Sequence, residues 1–283
     1  MRRGLVVGIV GALLTLGPSA SAADAPVGPD RFGDPVYLAL GDSVPAGFGV
    51  VPTQPGYPDV LTRLLESGYN PAADKATPKA SVDLELVNLA VSGATTTTLI
   101  ESQLTPALAL IEERDGDRDP FNDVEVVTVT IGGNDVFGPA QQACFLTATP
   151  VGCQATVDAA LAGVEERLTT VLGALVDTAG RDAEVLVTTY YNPIGSCVLA
   201  ERNPAAPRIA DVGLEGGTVP GVLTLTAGLN DVIREVAAAT GAQVGELYGE
   251  LGPGQYIGGE DCLHPNAAGH VEIAELLYAA LAR

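Results

Sequence analysis

Short apolar runs alternate with longer stretches of helical spacing along most of the chain, and that alternation leaves few architectures open. The run 35–40, Pro-Val-Tyr-Leu-Ala-Leu, has the length of a buried strand and is ended by Gly41. Runs at 82–89, 124–131, 184–190 and 242–248 repeat it, and they are too continuous in apolar and β-branched residues for a sheet with one wet face. Between them, 57–67 places Val60, Leu61, Leu64 and Leu65 on one helical face. The stretch 97–114 does the same with Leu99, Ile100, Leu104, Leu108 and Ile111, with Pro106 as a point of splitting or kinking. Helical stretches at 157–179, 222–240 and 266–281 complete the set. Such alternation calls for an α/β fold with a parallel sheet of about five strands, covered on both faces as a three-layer α/β/α sandwich.

Composition closes off several classes of function. At 47% hydrophobic and 17% charged, the chain can bury a core. It carries 14 Lys and Arg against 35 Asp and Glu, with Lys75 and Lys79 as its lysines, so no basic patch exists to neutralise nucleic-acid phosphates. Nucleic acid is excluded as an expected partner. No boundary divides the chain after its first residues, and one domain is expected over 35–283, preceded by a polar leader at 23–34.

The first 22 residues read as a secretory signal peptide. Arg2 and Arg3 precede an apolar run from Leu5 to Leu16, and Ala20-Ser21-Ala22 supplies small residues for cleavage. The run is shorter than the ~20 apolar residues of a spanning helix, so no transmembrane segment is expected in the mature chain. Losing both arginines leaves 12 basic against 35 acidic residues, a net charge of -23. A secreted, extracellular location permits disulfides, and Cys144, Cys153, Cys197 and Cys262 allow three pairings. The favoured one joins Cys144 to Cys153 across a short loop with Pro150 and Gly152, and Cys197 to Cys262 between two loops on one edge of the sheet. A zinc site is the competing reading, but there is no C-x-x-C, and Cys262-Leu263-His264 is not an ordinary ligand spacing.

Two segments, 138–153 and 192–220, are rich in Gly and Pro, lack periodicity and exceed the usual α/β connection. Each follows a predicted strand, so each is expected as a loop over the carboxyl edge of the sheet, where open α/β folds bind ligands. They are candidate walls of a substrate pocket.

Four small motifs also fall at predicted strand ends: Gly41-Asp42-Ser43; Asn88 with Ser92-Gly93-Ala94-Thr95; Gly132-Gly133-Asn134-Asp135; and Asp261-Cys262-Leu263-His264. Singly, each is as well read as a turn. Together and in this order they resemble the SGNH hydrolases, the GDSL esterase/lipase family, over about 36–281. That resemblance implies a flavodoxin-like fold and a serine esterase mechanism. It implies Ser43 as nucleophile, Gly93 and Asn134 as oxyanion donors and His264 as base. The first motif continues with Val44 where the family has Leu, a departure that touches no reacting atom.

The residues support this chemistry independently. Acyl transfer needs a hydroxyl, a base, a group that orients the base, and donors for the developing oxyanion. Ser43 at a strand tip can be exposed. Asp261, three residues before His264, can orient the imidazole across a short turn, although a backbone carbonyl could do so instead. The oxyanion donors would be the N–H groups of Ser43 and Gly93 and the side-chain amide of Asn134. Asp42 is read as holding the turn, and His270, inside a helical stretch, as a packed or solvated side chain. There is no G-x-S-x-G elbow, and Ser43 lies only 21 residues beyond the expected cut after Ala22, which argues against the larger α/β-hydrolase fold.

The expected activity is a secreted, metal- and cofactor-independent serine ester hydrolase, acting as a monomer on small-molecule or lipid esters. With no Trp and only 8 Tyr and 5 Phe, a stacking platform for sugars is not evident. A carbohydrate O-acetylesterase and a non-catalytic extracellular binding protein on the same scaffold are the alternatives.

Overall fold

The computed structural model of the protein describes residues 33–50, 54–68, 83–116, 122–145, 150–181 and 183–281. The segment 1–22, expected as a signal peptide, and most of the expected leader therefore lie outside the described residues. The chain runs through β1 (Val36–Gly41), α1 (Tyr57–Gly68), β2 (Glu85–Asn88), α2 (Thr96–Leu99), α3 (Thr105–Asp115) and β3 (Val124–Thr130). It continues through α4 (Gly133–Ala140), α5 (Pro150–Ala179), β4 (Glu184–Thr188), α6 (Val198–Arg202) and α7 (Ala206–Glu215). The small strands β5 (Gly217–Val219) and β6 (Leu223–Leu225), then α8 (Leu229–Thr240), β7 (Gln243–Gly245) and α9 (Ala267–Leu281), complete it.

Five strands form one parallel sheet in the order β2-β1-β3-β4-β7. This is the flavodoxin-like order, in which the chain leaves β1 toward one edge and returns to build β3 on the other side. The period-two alternation of β1 sorts its side chains between two layers. Val36, Leu38 and Leu40 join a core with residues of α3, α4, α5, α7 and α8, whereas Tyr37 and Ala39 pack with α1 and α9. Helix α5 supplies Val157, Leu161, Val164, Leu168 and Leu175 to the first layer at the three- and four-residue spacing of one helical face. Helix α1 supplies Tyr57, Leu61 and Leu65 to the second. Burial of each such side chain contributes about 1.5–3 kcal/mol.

The structure refines the sequence expectations in several places. The run at 82–89 yields only the four-residue β2, partly exposed because it is an edge strand with a neighbour on one side alone. The helical stretch expected over 97–114, with Pro106 as a point of splitting or kinking, is indeed interrupted: α2 runs into a π-helical turn at Ile100–Leu104, and α3 follows with Pro106 directly after that turn, whose wider winding accommodates the proline ring. The segment 192–220 is not one irregular loop, since it holds α6, α7 and β5. The helix expected from residue 222 begins at Leu229, and β6 before it pairs antiparallel with β5. Among the described residues, no helix is long and apolar enough to cross a membrane.

Both disulfides pair as expected: Cys144 with Cys153, and Cys197 with Cys262. The second joins the connection after β4 to the one after β7, and a bridge between Cys197 and Gly259 runs beside it.

Candidate active site

The four sequence motifs meet at the carboxyl edge of the sheet, around the point where β1 and β3 diverge to opposite sides. Gly41 ends β1 at φ +137, where a Cβ would lie 2.0 Å from the Thr130 carbonyl oxygen, so only glycine fits. The chain turns there, and Ser43 emerges with its hydroxyl donating to Nε2 of His264 at 2.9 Å. Nδ1–H of His264 donates to Oδ2 of Asp261 at 2.8 Å. Ser43, His264 and Asp261 thus form one continuous relay, with the histidine tautomer set by the carboxylate.

Asp261 is itself fixed by the turn that carries it. Its Oδ1 accepts the backbone N–H groups of Leu263 and His264, both at 2.9 Å. Burial works to raise its carboxyl, but those two N–H groups and the imidazole outweigh it and hold Asp261 below the ordinary carboxylate value. It stays ionised at neutral pH, as orientation of an imidazole requires.

Asp42 plays a different part. It is buried, its Oδ1 accepts the Val44 N–H at 2.9 Å, and its Oδ2 accepts the Tyr190 hydroxyl. Burial pushes it up to about 6 against the lowering effect of those donors. It makes no contact with the imidazole among the described hydrogen bonds and holds the shape of the turn that presents Ser43.

Asn134 stands in the first turn of α4, directly after β3. Its amide gives one hydrogen to the Ala94 carbonyl at 2.9 Å, which leaves the other for a ligand. Gly93, one residue before Ala94, has φ +82 and is exposed. Among the described residues, neither the Ser43 nor the Gly93 backbone N–H donates to a protein acceptor. The expected oxyanion donors therefore sit on three adjoining strand ends with hydrogens to give.

A small chamber touches Ser43, Asn134, Phe137, Tyr191, Ile194 and His264. It shares walls with a groove of about 260 Å³ that runs between α4, α6 and the His264 loop. The groove is apolar through Phe137, Ile194, Val198, Leu199 and Leu263, and its exposed Arg202–Glu260 ion pair spans 3.7 Å. Residues of both segments expected to wall a pocket, Gly138 and Gln141 from one and Ile194 to Arg202 from the other, do line it, although largely from helices. The polar groups suit proton transfer and oxyanion binding, and the apolar wall suits a hydrocarbon chain.

Sequence reasoning missed the residues that hold these loops in place. Gln103, almost fully buried on the π-helical turn, accepts from the Gly41 N–H and donates to the Gly41 carbonyl, both at 2.8 Å, and so closes the end of β1 like one more strand residue. Asp135, Thr96 and Arg167 tie the motif after β2 to the motif after β3. A polar residue at an apolar position of the 97–114 pattern was the available signal for Gln103.

Among solved structures, the extracellular lipase of Streptomyces rimosus is similar at 23% identity and TM-score 0.55, over 87% of this chain and 99% of its own. A lipase from a goat rumen metagenome matches at 20% identity and TM-score 0.52, over 87% and 97%. Phospholipase A1 from Streptomyces albidoflavus NA297 matches at 25% identity and TM-score 0.50, over 88% and 100%. No curated protein sequence matches the chain. The model of one family covers residues 39–271, from β1 into α9 and across all four motifs, and on that match the chain belongs to the GDSL-like lipase/acylhydrolase family.

Proposed function

We propose that the protein is a secreted serine hydrolase of carboxylic acyl esters, with Ser43 as nucleophile, His264 as general base and acid, and Asp261 as the group that orients His264. The observation that carries this reading is the unbroken relay from the Ser43 hydroxyl through His264 to Asp261, at 2.9 and 2.8 Å. In the first half-reaction, Ser43 Oγ bonds to the ester carbonyl carbon while its proton passes to Nε2 of His264. The carbonyl oxygen becomes an oxyanion held by the N–H groups of Ser43 and Gly93 and the free amide hydrogen of Asn134. As the tetrahedral intermediate collapses, the carbon–alkoxy bond breaks and His264 gives its proton to the departing alcohol. Water then attacks the acyl-serine as His264 takes its proton; the acyl carbon–Oγ bond breaks, His264 returns the proton to Ser43 Oγ, and the acid leaves.

The apolar wall of the groove, formed by Phe137, Ile194, Val198, Leu199 and Leu263, supports an acyl chain longer than acetyl. The two disulfides and the sequence of residues 1–22 support secretion, and the catalytic domain is taken as 35–283. The test is hydrolysis of p-nitrophenyl esters from acetate to palmitate by mature protein beside Ser43→Ala. Turnover abolished in the variant is expected, with an optimum beyond acetate. Equal turnover in the two proteins would overturn Ser43, and no turnover on any ester would overturn the reading itself.

A further inference from the structure

His270 is the second of the two histidines in the chain, and the relay does not use it. It lies on α9 with no exposed surface. The Tyr57 N–H donates to its Nδ1 at 3.1 Å, so the ring proton sits on Nε2, which donates to the Phe48 carbonyl at 2.9 Å. Burial lowers its pKa against the opposing hydrogen bond to Phe48, in keeping with a neutral ring that must accept at one nitrogen. Each ring nitrogen therefore engages the backbone of a different segment.

Phe48 is held from its other side as well, because its own N–H donates to the Ser43 carbonyl at 2.9 Å. The residue is 45% exposed, and one contact of its ring is to the His264 loop. The phenyl ring lies over the His264 imidazole, with centroids 4.0 Å apart and planes at 35°. A ring there restricts rotation of the imidazole while leaving its Nε2 edge open to Ser43, and its π face attracts the imidazolium that forms during turnover.

We propose that His270 is a positioning residue for His264, acting through Phe48: it fixes the Phe48 backbone so that the phenyl ring covers the catalytic imidazole. The inference rests on His264 as the base. A packing role alone would need neither the two directed hydrogen bonds nor the phenyl ring over a histidine.

The experiment pairs two substitutions at 270. In His270→Asn the amide oxygen replaces Nδ1 and still accepts from Tyr57, but nothing reaches the Phe48 carbonyl. In His270→Gln the longer side chain carries its N–H to the position of Nε2. Ester hydrolysis is measured for both, for Phe48→Ala, and for Phe48→Ala combined with His270→Asn. The His264 ring-proton resonances are followed by NMR, and the position 270 variants contain no other histidine. His270→Asn and Phe48→Ala are each expected to lower kcat by about tenfold to a hundredfold with KM little changed, the double variant to be no worse than Phe48→Ala, and His270→Gln to recover most of the rate. The His264 resonances should move in the same direction in both damaged variants as the phenyl ring current is lost.

Phe48 is exposed, so Phe48→Ala is expected to fold, and unchanged kcat in that variant overturns the proposal. Strictly multiplicative losses in the double variant, or unmoved His264 resonances in a folded His270→Asn, overturn it too. A fully active His264→Ala control would instead overturn the assignment of the base, and the resonances report on the Phe48–His270 link even then.

Discussion

Asp135 grips Thr96 with both carboxylate oxygens, accepting the backbone N–H at 2.9 Å and the hydroxyl at 2.6 Å. Arg167 from α5 completes the link through Nε to the Thr96 hydroxyl at 2.7 Å and Nη2 to Asp135 at 3.2 Å. Asn134 and Gly93 flank this clamp on its two sides, so the spacing of the proposed oxyanion donors depends on it. Asp135→Ala is expected to lower kcat by about tenfold to a hundredfold. It should also cost about 1–3 kcal/mol of stability through the groups left unpaired on Thr96. Steady-state kinetics beside urea unfolding would separate the two effects, and parent-like kcat in Asp135→Ala would remove the clamp from the account of catalysis.

Asn134→Ala is expected to lower kcat by about 10²–10³ with the fold intact, the usual cost of one oxyanion donor. Asn134→Asp should be worse, because it brings a negative charge toward the forming oxyanion. Full activity in Asn134→Ala would reduce that residue to its hydrogen bond with Ala94.

The bridge between Cys197 and Cys262 closes a loop with a sequence separation of 65, so its removal is expected to cost about 4 kcal/mol on the chain-entropy relation. Cys262 adjoins Asp261, so ester hydrolysis should fall at reductant concentrations that leave far-UV circular dichroism unchanged. Cys144 and Cys153, only nine residues apart, should matter less, at about 3 kcal/mol on the same relation. Activity that persists until global unfolding would break the link between this bridge and the site.

The buried Asp42 makes a pH prediction whose sign can be worked out. Its folded value of about 6 lies above the ordinary 3.8, so its contribution to stability is full below about pH 4 and is lost as pH rises through 6. His270 and Asp261 are displaced downward, so their contributions are lost on acidification instead. Those two residues remain in Asp42→Asn and cancel in a comparison with the parent. The stability of the variant relative to the parent should therefore grow between pH 4 and 7, by about 3 kcal/mol, because each tenfold change in proton affinity is worth about 1.4 kcal/mol. Urea midpoints across that range provide the test, and a constant difference would place the ionisation of Asp42 elsewhere.

The sheet was legible in the sequence where strands are buried on both sides. In β1 and β3 almost every side chain is enclosed, so composition and length alone marked them. The segment 192–220 was not legible, because Pro193, Pro204 and Pro207 read as loop punctuation. Pro207 in fact lies in the first turn of α7, a position proline tolerates, and the apolar spacing of Ala206, Ile209, Ala210 and Leu214 around it was the overlooked signal. In the site, Ser43, Asn134, Asp261 and His264 stood out because their motifs are local. Gln103, Arg167, Tyr190 and Phe48 did not, because each acts on a partner far away in sequence, and only the folded chain brings the two together.

Ser43 and His264 are separated by 221 positions, one just after the first strand and the other just before the last helix. A polypeptide still emerging from the ribosome carries the hydroxyl long before it has any imidazole to take the proton. On the proposed mechanism, ester cleavage begins only after the last segment has been synthesised and has packed against the first. The rate at which activity appears during refolding is a clock for that final closure.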